Sequence, residues 1–377
     1  MQRFGNLSKL KRAIGLMSGT SMDGIDIALI ETDGQAVLRH GPAFTFPYSD
    51  SFKSRLKDAT AAARSLRARD ERPGVLGIAE QYLTDLHAEA IGYFLEDTQL
   101  KPADIDVIGF HGHTVLHAPE RRLTVQIGDG ARLAKATGIQ VVHDMRAADV
   151  SAGGEGAPLV PIYHQALAIQ LGKRPAAFVN IGGVANVTFI SDEHDAELIA
   201  FDTGPGNALI DDWMLKHAAT AFDADGETAL NGTADETVLH EMLSAHYFIE
   251  PPPKSLDRDA FDGAGVNGLS LTNGAATLAA FTAESIARAR EHFPQEPAIW
   301  VICGGGRKNR AIMTRLAERV ENAVVPIEAL GLNGDSIEAE AWAYMAVRAL
   351  EGLPLTFPGT TGVPGPTTGG VIVRPEV

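Results

Sequence analysis

The stretch "AAFVNIGGVANVTFI", residues 176–190, sets two apolar runs on either side of a glycine pair. Runs of β-branched and aromatic residues split by glycines read as a hairpin. Residues 13–34, "AIGLMSGTSMDGIDIALIETDG", follow the same plan: an apolar strand, a glycine-bearing loop, and a strand in which Ile25, Ile27 and Leu29 alternate with polar or small residues. That first loop is longer than turning requires, and its hydroxyls and glycines exceed what a turn needs. A third strand, "LIAFDTG", follows the later hairpin. Between the two hairpins, Leu76, Ala79, Leu83, Leu86, Ala90 and Ile91 recur at helical spacing, the strand "IDVIGF" follows, and "LTVQIG" and "IQVVHD" flank the helical "GARLAKATG". Strands alternating with helices specify an α/β protein. Two hairpin-led units predict two related lobes, with their glycine turns facing a central cleft. We expect a first lobe over residues 1–145, with residues 371–377 returning to it, and a second over 146–370.

A chain of 377 residues exceeds one typical core. Its 48 acidic against 32 basic residues, a net charge of −16, argue against bulk attraction to nucleic acid or an anionic membrane surface. A bound phosphate therefore needs a local site. The single cysteine, Cys303, permits no intramolecular disulfide and suits a reducing compartment; after the run "AIWVI" it is expected to pack as a small hydrophobe. No apolar run is long enough to span a bilayer, and "MQRFGNLSKLKR" lacks the apolar core of a signal peptide. A soluble, cytoplasmic protein is expected.

Without a basic patch, phosphate is held by backbone N–H groups that glycines expose, by hydroxyls and by a metal. "SGTSMDG", "NIGGVANVT" and "ICGGGRKN" all offer such groups after apolar strands. In "FDTGPGNALIDDW", Asp202 is expected to end a strand, Thr203 to Gly206 to turn, and Asn207 to start a helix. A carboxylate there suits a general base or a metal ligand, while an Asx-type turn is the structural alternative. Other patterns carry less. "GAGVNG" matches a dinucleotide fingerprint but follows the polar "DRDAFD" where a strand is required; no Walker-type phosphate loop occurs; and "HGHTVLH" lacks the Cys or carboxylate spacing of a zinc site, so sugar contact by His111 or His113 is favoured.

Seven stretches in order, "GLMSGTSMDGID", "HGHTVLH", "QIGDGARLAKATGI", "DMRAADVSAGGEGAPLVP", "NIGGVANVT", "FDTGPGNALID" and "GDSIEAEAWA", resemble the anhydro-N-acetylmuramic acid kinase family across nearly the whole chain. The resemblance implies two ribonuclease-H-like lobes of the actin-like ATPase superfamily. It also implies ATP with Mg²⁺ as co-substrate, no tightly bound organic cofactor, an amino-sugar substrate, and a homodimer that needs neither nucleic acid nor membrane. Gly19, Thr20, Ser21, Met22, Asp23, Gly24, Ile25 and Asp26 then match the phosphate-binding turn, with Asp23 beside magnesium or its water shell. Gly182, Gly183 and Asn186 fall in a second phosphate turn, and Gly304 and Gly305 near the adenosine. Asp202 becomes the catalytic base, and His111, Gly112, Thr114, Asp144, Arg146 and Glu338 become sugar contacts. His113, Glu155 and the Leu256–Asp257 pair depart from the family pattern. The alternatives are a kinase for another amino sugar and a non-catalytic, actin-like or chaperone-like ATP switch.

Overall fold

The first hairpin seeds the fold. The computed structural model describes residues 10–19, 22–36, 38–193 and 198–375. It opens with β1 (Lys11–Met17), β2 (Gly24–Thr32) and β3 (Leu38–Pro47), followed by α1 (Asp50–Ala63), α2 (Val75–Asp97) and β4 (Val107–Phe110). A separate ribbon, β5 (His113–Ala118) with β6 (Leu123–Ile127), precedes α3 (Gly130–Thr137), β7 (Val141–His143), α4 (Ala147–Ala152) and α5 (Pro161–Leu171). The second hairpin and its third strand are β8 (Ala176–Ile181), β9 (Val184–Ile190) and β10 (Ile199–Pro205). After them come α6 (Ala208–Ala218), α7 (Glu227–Leu230), α8 (Glu236–Met242), α9 (Leu271–Arg288), β11 (Ile299–Cys303), α10 (Arg310–Arg319) and β12 (Ala323–Pro326). The chain closes with α11 (Ile337–Leu350), α12 (Pro358–Thr361) and β13 (Val371–Val373).

The two large sheets run β13-β7-β4-β1-β2-β3 and β10-β9-β8-β11-β12. In each, three strands form an antiparallel meander and two more lie parallel to the first. The order 3-2-1-4-5 thus occurs twice, which is the ribonuclease-H-like arrangement expected of both halves. Cys303 ends the interior strand β11 and is buried, as its apolar neighbours predict.

The division of the chain differs from the expected one. One compact unit comprises the described residues up to 170 together with those from 336 onward, and the other spans 171–335. So β13 does return to the first sheet, antiparallel to β7, but it returns behind a helix already committed to that unit. The cause lies in two strand glycines. A Cβ on Gly15 would stand 1.7 Å from the Ala339 carbonyl oxygen, and one on Gly109 would stand 2.1 Å from that of Trp342. Their absent side chains let the backbone of α11 settle on β1 and β4, a close approach open only to glycine. Helix α5 stays with this unit because the Tyr163 hydroxyl donates to Glu340 of α11. The same packing buries β2 on both faces, where alternation had suggested a half-buried strand. Each unit has its own core, the first around Ile27, Phe52, Leu83 and Phe110, the second around Val179, Phe201, Phe281 and Trp300.

Candidate active site

Asp202 lies inside β10, which continues to Pro205, so residues 203–205 of the expected turn are strand and Gly206 follows it. A register shift between Asp202 and Gly204 marks a β-bulge, a feature that re-aims a side chain. The carboxyl group makes no Asx turn. Its Oδ2 accepts the Leu256 N–H at 2.8 Å, from 54 residues away, and among the described residues Oδ1 has no hydrogen-bond partner. Burial pushes this carboxyl up to about 7, opposed by the Leu256 hydrogen bond. Around it, the Tyr247 hydroxyl donates to the Asp202 carbonyl oxygen, and the Asp202 N–H donates to the Lys254 carbonyl oxygen at 3.0 Å. The Lys254 ammonium donates to the Tyr247 carbonyl oxygen at 2.9 Å and lies 4.6 Å from the Tyr247 ring centroid. Tyr247, Lys254 and Leu256 had no sequence signal beyond lying in or beside the segment that departs from the family pattern.

Asn186 sits directly across from Asp202 on β9. Gly182 and Gly183 form the β8–β9 turn, and their carbonyl oxygens accept N–H groups from Asn207 at 2.7 Å and Gly206 at 2.9 Å. Asn207 precedes α6 as expected, but its side chain donates to the Ile181 carbonyl oxygen at 3.2 Å instead of capping the helix. Gly304 and Gly305 follow β11, where Arg307 ties the loop by donating to the Gly304 carbonyl oxygen at 2.8 Å, to Glu328 at 2.7 Å and to Asp335 at 2.8 Å. The second unit therefore gathers Asp202, Asn186 and both later glycine turns toward one end of its sheet. The "GAGVNG" segment contains only a 3₁₀ turn, Ala264–Val266, with no preceding strand.

In the first unit a pocket is lined by His111, Gly112, Asp144, Gln126, Arg69 and Arg72, among others. Beside it, His111 meets Arg146 in a way that the neighbouring acids do not explain. The Arg146 guanidinium donates to the Gly156 carbonyl oxygen at 2.8 Å and contacts His111 Nε2 at 3.3 Å. It also lies 5.4 Å from the Trp342 ring centroid, with its Nε buried and unpartnered. Burial lowers it to about 10, offset by the charges of Glu338 and Asp149. The two acids nearest in sequence are otherwise engaged. Asp144 pairs with Arg69, and Asp149 accepts from the Gly156 N–H at 2.7 Å and the Thr361 hydroxyl at 2.6 Å. Burial, helped by the Arg146 charge, keeps His111 well below the usual imidazole range, so its ring is neutral. Thr114 accepts from Gln126 at 3.4 Å. Arg69, Arg72, Gln126 and Trp342 are pocket or contact residues that sequence reasoning missed; Trp342 carried a signal, since it lies in the "SIEAEAWA" stretch.

Thr20 and Ser21 of the first loop lie outside the described residues. Gly19 accepts the Met22 N–H at 3.1 Å through its carbonyl oxygen, Met22 adopts a φ of 58°, and the Asp23 side chain is exposed. Gly24, Ile25 and Asp26 already belong to β2; Ile25 points into the core, and Asp26 accepts from the Thr45 hydroxyl at 2.7 Å. Any ligand contact by Ile25 is thus confined to its backbone. Just before the loop, Ser18 is buried, accepts the Tyr48 hydroxyl at 2.8 Å and contacts His113 Nδ1 at 3.3 Å. His113 therefore packs against Ser18, just after β1, and burial brings it down to about 4.

Comparisons with known proteins bear on what this arrangement serves. The chain is 53% identical to the anhydro-N-acetylmuramic acid kinase of Bradyrhizobium diazoefficiens over 96% of its own length and 99% of that protein. It is 52% identical to the Brucella canis protein of the same name over 97% of this chain and 99% of that one. Among solved structures, component A of (R)-2-hydroxyglutaryl-CoA dehydratase from Acidaminococcus fermentans superposes with a TM-score of 0.48 at 12% identity, covering 90% of this chain and 98% of that one. A glucokinase from Streptomyces griseus, solved with glucose and AMPPNP, gives 0.39 at 12% identity over 89% of this chain and 99% of that one. The family model "Anhydro-N-acetylmuramic acid kinase" matches residues 11–375, and the chain belongs to that family.

Proposed function

We propose that this chain opens 1,6-anhydro-N-acetylmuramic acid with water and phosphorylates O6 with ATP, giving N-acetylmuramic acid 6-phosphate and ADP, with Asp202 as the base. The observation that carries this is the half-buried Asp202 carboxyl, aimed by a bulge, held at Oδ2 by one backbone N–H and with no partner for Oδ1 among the described residues. The bridged sugar has no free 6-hydroxyl, so deprotonating an alcohol cannot start the reaction. Asp202 instead takes a proton from a water that attacks C1. As the C1–O6 bond breaks, O6 gains the electron pair and attacks the γ-phosphorus, releasing ADP. A base whose pKa lies near the working pH suits this step, and general-base action supplies about 10²- to 10⁴-fold. Because the phosphoryl group captures O6, no second carboxyl is needed as an acid, unlike in an inverting glycosidase.

In the first unit, Arg146 is available to fork onto the lactyl carboxylate, with His111, Gly112, Thr114, Asp144 and Glu338 toward the sugar. Gly19 to Asp26, Gly182, Gly183, Asn186, Gly304 and Gly305 are the nucleotide contacts of this proposal. Among the described residues no group of three His, Cys, Asp or Glu side chains could cage a metal. In this proposal magnesium is carried on ATP phosphates and waters, with Asp23 as its protein partner. Bound there, the ion would neutralise charge on the transferred phosphoryl group. A homodimer and a cytoplasmic location belong to the same proposal, and light scattering would test the first. A kinase for another amino sugar and an ATP switch are not favoured by the family match.

The test is ADP release with magnesium and ATP on the anhydro sugar and on plain N-acetylmuramic acid. Turnover with the anhydro sugar alone is expected. Equal turnover with both would replace it with a conventional sugar kinase, and turnover with neither would leave the ATP switch.

A further inference from the structure

The segment that departs from the family pattern sits against the group assigned as the base. Its alternate residues make three separate attachments. Lys254 exchanges bonds with Tyr247 and with the Asp202 backbone, as described above. Leu256 donates its N–H to Asp202 Oδ2 at 2.8 Å. Arg258 then donates to Asp212 Oδ1 on α6 at 2.8 Å, with a longer contact of 3.3 Å to Asp259. One irregular stretch therefore links β10, which carries the carboxylate, to the helix that follows it. Of these attachments, the Leu256 bond alone touches the carboxyl oxygens, and an irregular backbone needs anchors on both sides to hold an N–H in place. Lys254 is the anchor on one side and Arg258 on the other.

We propose that residues 254–258 are a strap that holds the Asp202 carboxylate in its working orientation, and that Arg258 is the positioning residue that anchors it to α6. This rests on Asp202 being the base. The Arg258–Asp212 pair is more than half exposed on both sides, 54% and 56%, and exposed pairs contribute little to stability. Its loss should therefore show in catalysis and hardly in folding. The groups that meet Asp202 from other elements, Tyr247 and Lys254, are untouched by a change at Arg258. Releasing the Leu256 bond removes an interaction that favours the ionised carboxyl, so the base would ionise at higher pH.

The experiment compares Arg258→Ala, the charge-swapped pair Arg258→Asp with Asp212→Arg, and Asp202→Asn, all in the full chain with ATP, magnesium and the anhydro sugar. Arg258→Ala is expected to lower kcat about two- to fivefold, the scale of one exposed ion pair expressed in rate. It should leave the KM for ATP in place and move the acid limb of the kcat–pH profile to higher pH. The swapped pair should recover both. Unchanged kcat and an unmoved limb in Arg258→Ala, with Asp202→Asn inactive, overturn the strap alone. An active Asp202→Asn overturns the base assignment and the strap with it. If Arg258→Ala also lowers the melting temperature, the swapped pair decides: recovered stability without recovered kcat rejects the strap.

Discussion

The two units bury ionisable groups of opposite kinds. In the first, four histidines are held neutral by burial: His87 and His113 at about 4, His164 at about 3 and His111 well below its usual range. In the second, burial works on carboxyls instead, raising Asp202 to about 7 and Asp211, with help from Asp212, to about 6. Desolvation always favours the uncharged form, so the same physics turns bases into neutral acceptors and acids into near-neutral proton carriers. What separates a working group from a packed one is unused bonding capacity. Arg307 is buried and fully tied by Glu328, Asp335 and Gly304, whereas Arg146 is half-buried with a buried, unpartnered Nε.

The largest effect should come from Asp202→Asn, which keeps the shape and removes the proposed base. We expect kcat to fall by about 10²- to 10⁴-fold, while ATP binding measured by calorimetry persists. The native enzyme should lose kcat about tenfold per pH unit below about 7, because the raised pKa leaves the carboxyl protonated there. A flat profile between pH 5 and 7 would break the contrast between the units at its catalytic end. Next in size is Arg146→Ala, expected to raise the KM for the sugar about 10- to 100-fold, the cost of losing a charge-assisted fork. Arg146→Lys should recover little, since an ammonium cannot offer two parallel donors. A similar loss of sugar affinity in Arg307→Ala, without loss of stability, would erase the distinction between the two arginines.

Much of this was legible in the residues. The paired hairpins announced the duplicated sheet, and the collinear motifs fixed the family and marked Asp202, His111 and Arg146. Local pattern could not show that Gly15 and Gly109 make room for α11, because that contact joins residues more than 200 positions apart, and so the unit boundaries moved. Nor could it show the bulge that keeps Asp202 inside β10, or its partner at Leu256, since nothing in "FDTGPGN" records what lies across from it. Trp342 was visible as a helix residue, but its place beside Arg146 depends on that same long-range packing.

The smallest expected effect separates the units by their response to acid. His87 and His113 have folded values near 4 against an ordinary 6.5, so between those pH values the unfolded chain binds protons that the folded one refuses. Their contribution is full above pH 6.5 and is lost as pH falls toward 4, at no more than about 1.4 kcal/mol per pH unit for each. Asp202 runs the other way. Its folded value near 7 exceeds the ordinary 3.8, so the folded form takes up a proton first and gains relative stability as pH falls from 7 toward 3.8. Hydrogen exchange, corrected for the intrinsic rate at each pH, should then show α2 and β5 losing protection before β10 and α6 as pH drops from 7 to 5. His113→Gln, which removes one titrating group while offering Ser18 an amide partner, should flatten the loss in the first unit alone. Equal loss in both units, or an unchanged slope in the variant, would mean that burial of these histidines does not set the acid response.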